Sequence, residues 1–252
     1  MKKRNKLILS IVTVLLLGSG ILIRINTIKY PTFQVEGYEN IFKVSSLGDI
    51  GENLNKNIIK ETIKEPIKQY KGFVLLKSLD PSLEFDIRYA TTNNFTKTKV
   101  YPTDICILRL DTGTKLKKAN EILKSLGYRI KVYDAYRSTS VQKTFWSLVK
   151  DNRYVANPDE GGSIHNKGCA VDITMVDANG QEVEMPSNFD EFSEKAYREN
   201  INMSPKAKEN LNILTEAMIN SGFTTLATEW WHFEDSEKAG YSIVDIDLND
   251  FN

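Results

Sequence analysis

Ser163-Ile164-His165-Asn166-Lys167-Gly168-Cys169-Ala170-Val171-Asp172-Ile173-Thr174-Met175-Val176 passes from a polar, glycine-containing loop into a run of alternating character. In its second half Val171, Ile173 and Met175 point one way and Ala170, Asp172 and Thr174 the other, which is the period of a strand. Asp172 therefore lies opposite its apolar neighbours, where a carboxylate can look into a cleft while they hold a core. A solvated strand with a surface aspartate has the same pattern. His165 comes seven residues before Asp172, in a loop able to fold back onto the strand.

The flanking sequence supplies further elements. Residues 111–126 carry Leu116, Ala119, Ile122, Leu123 and Leu126 at helical spacing, with Gly127 as a C-terminal stop. Residues 128–134 alternate, with Tyr128, Ile130 and Val132 on one face. Residues 138–150 open with cap-forming residues and continue as a helix, and Ser204-Pro205 opens another that Gly222 closes. Strands and helices mix without a strict βαβ repeat. The expected fold is α+β, a compact antiparallel sheet with flanking helices.

The chain has only two histidines, and both lie among chemically useful residues. Imidazole is the commonest zinc ligand, and a catalytic zinc takes three protein ligands with one position left open. His165, Asp172 and His232 would supply two nitrogens and one oxygen. Glu229, in Glu229-Trp230-Trp231-His232, would take a proton from the attacking water. Glu229 and His232 are three apart, so in a regular strand they face opposite sides. Serving one site requires a bulge, a strand end or a turn. The plainer reading is an aromatic core strand with an incidental histidine. Arg137 comes just after the strand 128–134 and would aim its guanidinium at a developing oxyanion, unless it only forms a surface ion pair. Cys169, four residues from His165, offers a rival cysteine nucleophile, but that reading leaves Glu229 and His232 without a role.

Composition narrows the classes. Lys+Arg and Asp+Glu each count 33, so no global field draws the chain to nucleic acid, which is not an expected partner. A content of 41% hydrophobic and 26% charged residues is that of a globular protein. At the N-terminus, Lys2, Lys3, Arg4 and Lys6 precede an apolar run over residues 7–25, the pattern of a secretory signal or signal anchor. The run approaches the ~20 residues that cross a bilayer, and its basic flank predicts an inside N-terminus. No small-x-small cleavage site is evident, so an uncleaved anchor is expected, with the rest of the chain exported. The expected organisation is a signal anchor or signal peptide over 1–25, a stalk over 26–71 and a catalytic domain over 72–252. Within the stalk, residues 52–69 have the composition of a short amphipathic helix. The two cysteines, Cys106 and Cys169, permit one disulfide, but free buried thiols are expected.

Ser163-x-His165-x-x-Gly168-x-Ala170-x-Asp172, together with Glu229-Trp230-Trp231-His232 downstream, resembles the zinc D-alanyl-D-alanine dipeptidases of vancomycin resistance. Asp86-Ile87-Arg88-Tyr89-Ala90-Thr91 with Asn94-Phe95, Asp134-Ala135-Tyr136-Arg137, and the segment from Met185 to Phe189-Asp190 fit the same family. The resemblance spans about residues 73–235 and omits the N-terminal segment, a departure from the family's cytoplasmic enzymes. It implies zinc on His165, Asp172 and His232, Glu229 as general base, and Arg137 stabilising the tetrahedral intermediate. It also implies that Ser163, Tyr89 and Asp190 line the substrate pocket, with Asp190 meeting the free amine of D-Ala-D-Ala. The implied fold is the one shared with zinc D,D-carboxypeptidases and the hedgehog signalling domain. Two alternatives stand beside the dipeptidase: a D,D-carboxypeptidase acting on D-Ala-terminated stem peptides, which export favours, and a non-catalytic zinc-bearing binding module.

Overall fold

The computed structural model describes residues 24–27, 33–36 and 69–251. Two compact units divide the chain, Met1–Glu65 and Pro66–Asn252. In the first, β1 (Arg24–Thr27) pairs antiparallel with β2 (Phe33–Glu36). The apolar run 7–25 lies outside the described residues except for Arg24 and Ile25, which belong to β1. The helix expected over 52–69 lies outside them except for Gln69. Among the described residues no helix is long and apolar enough to cross a membrane.

The second unit opens with a small antiparallel sheet of β3 (Gln69–Tyr70), β4 (Phe73–Leu75) and β6 (Ile107–Arg109). Its first strand thus starts a few residues ahead of the expected domain start at 72. The larger sheet has the order β5 (Glu84–Phe85), β7 (Arg129–Asp134), β8 (Ala170–Val176), β10 (Glu229–Asp235) and β9 (Phe223–Leu226). Every pairing in it is antiparallel except β5 with β7, so the architecture is α+β.

Among the described residues four α-helices accompany the sheets: α1 (Leu76–Leu79), α2 (Leu110–Ser125), α3 (Thr139–Leu148) and α4 (Pro205–Ile219). The caps lie where the sequence places them. Ser138 Oγ accepts from Val141 N at 3.4 Å, and Ser204 Oγ from Ala207 N at 3.0 Å. Gly127 and Gly222 lie just beyond their helices at φ 86° and 98°, a conformation that costs glycine little. Leu126 differs from its expected place on the apolar face of α2: it lies past the helix end and is exposed.

The alternation in β8 positions the site. Val171, Ile173 and Met175 join Ile130 and Val132 of β7, Leu116, Ala119 and Leu123 of α2, and Leu214, Ala217 and Met218 of α4 in one core. Asp172 and Thr174, on the opposite face, are also buried, so Asp172 is not a solvated strand residue. Polar ties lock the layers. Asp235 at the end of β10 accepts from Thr112 Oγ1 at 2.8 Å and Lys115 Nζ at 2.6 Å on α2.

Candidate active site

His165 sits in a short 3-10 turn, Ile164–Lys167, between α3 and β8. Ser163 caps that turn: its Oγ accepts from His165 N at 3.2 Å, and its own N–H donates to Asn166 Oδ1 at 2.8 Å. Gly168 ends the turn at φ 71°, where a Cβ would lie 2.3 Å from Phe73 Cε1. Only glycine lets the chain turn from His165 into β8 beneath that ring.

On β10, His232 stands opposite Asp172 of β8, and cross-strand neighbours share a face. The ladder between β10 and β9 is irregular. Its register passes from Glu229↔Leu226 to Phe233↔Thr225, leaving Trp230, Trp231 and His232 between the pairs. Of the three devices the sequence left open, two are present: a bulge-like break in the ladder, and a strand end, since Glu229 is the first residue of β10. A second irregularity, between Val132 and Asp134 of β7, brings Asp134 opposite Asp172.

These strands bring the inner atoms of three side chains together. His232 Nδ1 lies 3.0 Å from Asp172 Oδ1 and 3.2 Å from His165 Nε2, and His165 Nε2 lies 3.3 Å from Asp172 Oδ1. The outer ring nitrogens are engaged elsewhere. His165 Nδ1 donates to the Ala135 carbonyl at 2.6 Å, and His232 Nε2 is 3.1 Å from Glu234 Oε1. Glu234 is also paired with Lys238. Glu229 Oε2 stands 3.9 Å from His232 Nδ1. All four of the residues His165, Asp172, Glu229 and His232 are buried.

Burial and close charge shape the electrostatics. Burial pushes the Glu229 carboxyl up to about 8, against the pull of His232. Burial opposes charge on His232, yet hydrogen bonds to Asp172 and Glu234 hold its pKa at about 10. Burial likewise opposes charge on Asp172, but His165 and His232 hold it well below the usual carboxylate range. Arg137 is buried rather than part of a surface ion pair. It gives Nε and Nη2 to Asp134 Oδ2 at 3.1 and 2.6 Å and Nη1 to Gln142 Oε1 at 3.0 Å, with Nη2 3.8 Å from Asp172 Oδ2. Burial works against the guanidinium, and Asp134 together with Tyr101, Tyr89 and Asp172 outweighs it, keeping the group charged.

A cleft of about 290 Å³ opens over this cluster, and Tyr89, Arg137, Ser163, Asp190 and Glu229 all line it. Tyr89 Oη donates to Asp190 Oδ1 at 2.8 Å, and Phe95 N donates to Asp190 Oδ2 at 3.3 Å. Every site residue singled out in the sequence therefore meets at one cleft. Cys106 and Cys169 are free and buried; Cys169 Sγ contacts the Lys167 carbonyl at 3.6 Å, and burial pushes its thiol up, so it is no nucleophile. The sequence reading missed Gln142, Glu234 and the Ala135 carbonyl. Glu234 had a legible signal, two residues beyond His232 on the same strand face.

A mixed sheet presenting a buried His-Asp-His cluster beside a buried glutamate defines a hydrolase-like site. The chain belongs to the peptidase family described as D-ala-D-ala dipeptidase (Peptidase_M15), whose profile it matches over residues 69–251. It is an enzyme of that peptidase class. A D-alanyl-D-alanine dipeptidase of Escherichia coli K12 is 33% identical over 164 residues, covering 65% of this chain and 84% of that protein. One from Enterococcus faecium is 29% identical over 182 residues, covering 64% and 90% respectively. Among solved structures, a vancomycin-resistance D,D-pentapeptidase in complex with Zn(II) is 17% identical, covering 53% of this chain and 75% of that one, with a TM-score of 0.34.

Proposed function

We propose that the protein is a zinc-dependent D-alanyl-D-alanine dipeptidase in which His165, Asp172 and His232 hold one zinc per chain. The observation that carries the reading is the convergence of His165 Nε2, Asp172 Oδ1 and His232 Nδ1 within 4.8 Å of one another at the cleft. Two imidazole nitrogens and a carboxylate suit zinc with a position to spare. Metal-binding histidines are usually oriented through their other nitrogen, the part played here by the Ala135 carbonyl and Glu234. Bound zinc supplies a Lewis acid and acidifies water. Glu229, buried beside it, takes the proton of the attacking water and returns it to the leaving amine. Arg137, preorganised by Asp134 and Gln142, stabilises the oxyanion. Asp190, fixed by Tyr89 and Phe95, meets the substrate ammonium, and Ser163 borders the same space.

The cleft volume of about 290 Å³ suits a dipeptide, at the lower edge of the ~300–1,000 Å³ of ligand sites. The named activity of the relatives supports the same substrate. One observation favours a second reading. The basic flank and apolar run of residues 7–25 argue for a membrane-anchored, extracytoplasmic domain, secreted if the signal is cleaved, and D-Ala-terminated stem peptides lie on that side. A D,D-carboxypeptidase would act there. Zinc-loaded protein given free D-Ala-D-Ala and an N-acylated stem peptide separates the two: faster cleavage of the free dipeptide is expected. Turnover of the acylated peptide alone overturns the dipeptidase reading.

A further inference from the structure

Glu229 and His232 share one strand at a spacing that a regular strand turns to opposite faces, and the irregularity that reconciles them leaves the β10–β9 ladder broken between Glu229 and Phe233. Carbonyl groups in such a gap need donors from elsewhere, because an unpaired buried carbonyl is costly. Arg198 supplies them. Its Nη2 donates to the Trp230 carbonyl at 2.7 Å and the His232 carbonyl at 3.0 Å, and its Nε donates to the Leu226 carbonyl at 3.0 Å. Its backbone N–H donates to the Ala227 carbonyl at 3.0 Å. Nη1 donates to Thr215 Oγ1 on α4 at 3.0 Å, and the guanidinium lies over Phe233, 4.4 Å from the ring centroid. The hydrogen-bonded oxygens in these contacts belong to carbonyls and a hydroxyl, while the charge, held down by burial, is also felt by the Glu229 carboxylate.

We infer that Arg198 is a positioning residue that holds the bulge of β10 and thereby aims Glu229 and His232 into one cleft. It contacts the main chain of that segment and none of the side chains assigned to zinc. A planar fork of donors reaches several carbonyls at fixed angles, which a lysine ammonium on a flexible stem does not reproduce. The inference rests on the proposed roles of Glu229 and His232, so its test reads the bulge apart from catalysis.

Arg198→Ala and Arg198→Lys in the full chain provide that test. Amide hydrogen exchange over residues 227–233 reports the bulge with or without metal, chelator competition reports zinc affinity, and kcat and KM for D-Ala-D-Ala are measured alongside. Faster exchange in that segment is expected, with zinc bound about ten- to a hundredfold more weakly, the usual loss for a group that orients a ligand. A fall in kcat with KM little changed should accompany it, and guanidinium ion should restore part of kcat to Arg198→Ala where sodium chloride at equal ionic strength does not. Wild-type exchange, zinc affinity and kcat in both variants, with only the melting temperature lowered, overturn the inference. If Arg198→Ala does not fold, Arg198→Lys decides by the same three readouts. A wild-type protein that takes up no zinc refutes the metal reading instead, and the exchange rates still decide for or against Arg198.

Discussion

Replacing Asp190 by asparagine removes one negative charge from the cleft while keeping the shape of the side chain. The backbone there has φ 61°, a left-handed conformation that asparagine tolerates as well as aspartate does. The Tyr89 hydroxyl at 2.8 Å can still donate to the amide oxygen. The substitution loses the charge-assisted contact with a substrate ammonium, worth ~1.5–3 kcal/mol. Each ~1.4 kcal/mol is tenfold, so kcat/KM for D-Ala-D-Ala should fall about ten- to a hundredfold. An N-acylated peptide has no ammonium, and its rate should stay level or rise. The pH dependence has a definite sign. Burial, partly offset by the Tyr89 hydrogen bond, raises the Asp190 carboxyl to about 7 in the free protein. Below that pH the group is neutral and offers no ion pair; above it the carboxylate forms. The ratio of kcat/KM for dipeptide to that for acylated peptide should therefore climb as pH rises through about 7. It should fall again as the α-amine loses its proton near ~7.7–8.0. In Asp190→Asn the rising limb should vanish. Steady-state kinetics on both substrates across this range measure it. Equal losses on the two substrates, or an unchanged rising limb in the variant, refute the assignment.

The same geometry sets other outcomes. Wild-type protein should carry about one zinc per chain by elemental analysis, and His232→Ala should lose it, whereas Glu229→Ala should keep zinc and lose most turnover because a base is not a ligand; zinc-free wild-type protein or a fully active Glu229→Ala contradicts these roles. Arg137→Ala should lower kcat by ~10²–10³-fold. It should also reduce stability by up to ~3–5 kcal/mol, since buried Asp134 keeps the Tyr101 and Ala135 donors but loses its guanidinium partner, and chemical denaturation measures that loss. Gly168→Ala places a Cβ 2.3 Å from Phe73 Cε1 at φ 71°, so its melting temperature and zinc affinity should both fall; an unchanged melting temperature argues against the tight turn. Protease added to intact protoplasts should digest the catalytic domain, and full protection would contradict the extracytoplasmic placement.

Features that depend on neighbours in the chain were legible before any fold was known. The alternation of Val171, Ile173 and Met175 marks a strand, and the spacing of Leu116, Ala119 and Leu123 marks a helix, because side-chain direction repeats with the local backbone. Ser138, Ser204, Gly127 and Gly222 mark helix ends for equally local reasons. The two histidine motifs named the metal-ligand candidates and Glu229 by residue chemistry alone. The tertiary structure alone decided how those residues face one another. Alternation assigns Asp134 to the side of Ile130 and Val132, yet a register shift in β7 sets it opposite Asp172 beneath Arg137. Alternation separates Glu229 from His232, yet the bulge in β10 unites them, with Arg198 bonded to the carbonyls of that gap. A bulge is settled by which distant donors and acceptors complete a broken ladder. Residues as far apart in sequence as Ala135 and His165, or Arg198 and His232, make that choice only when the sheet has assembled.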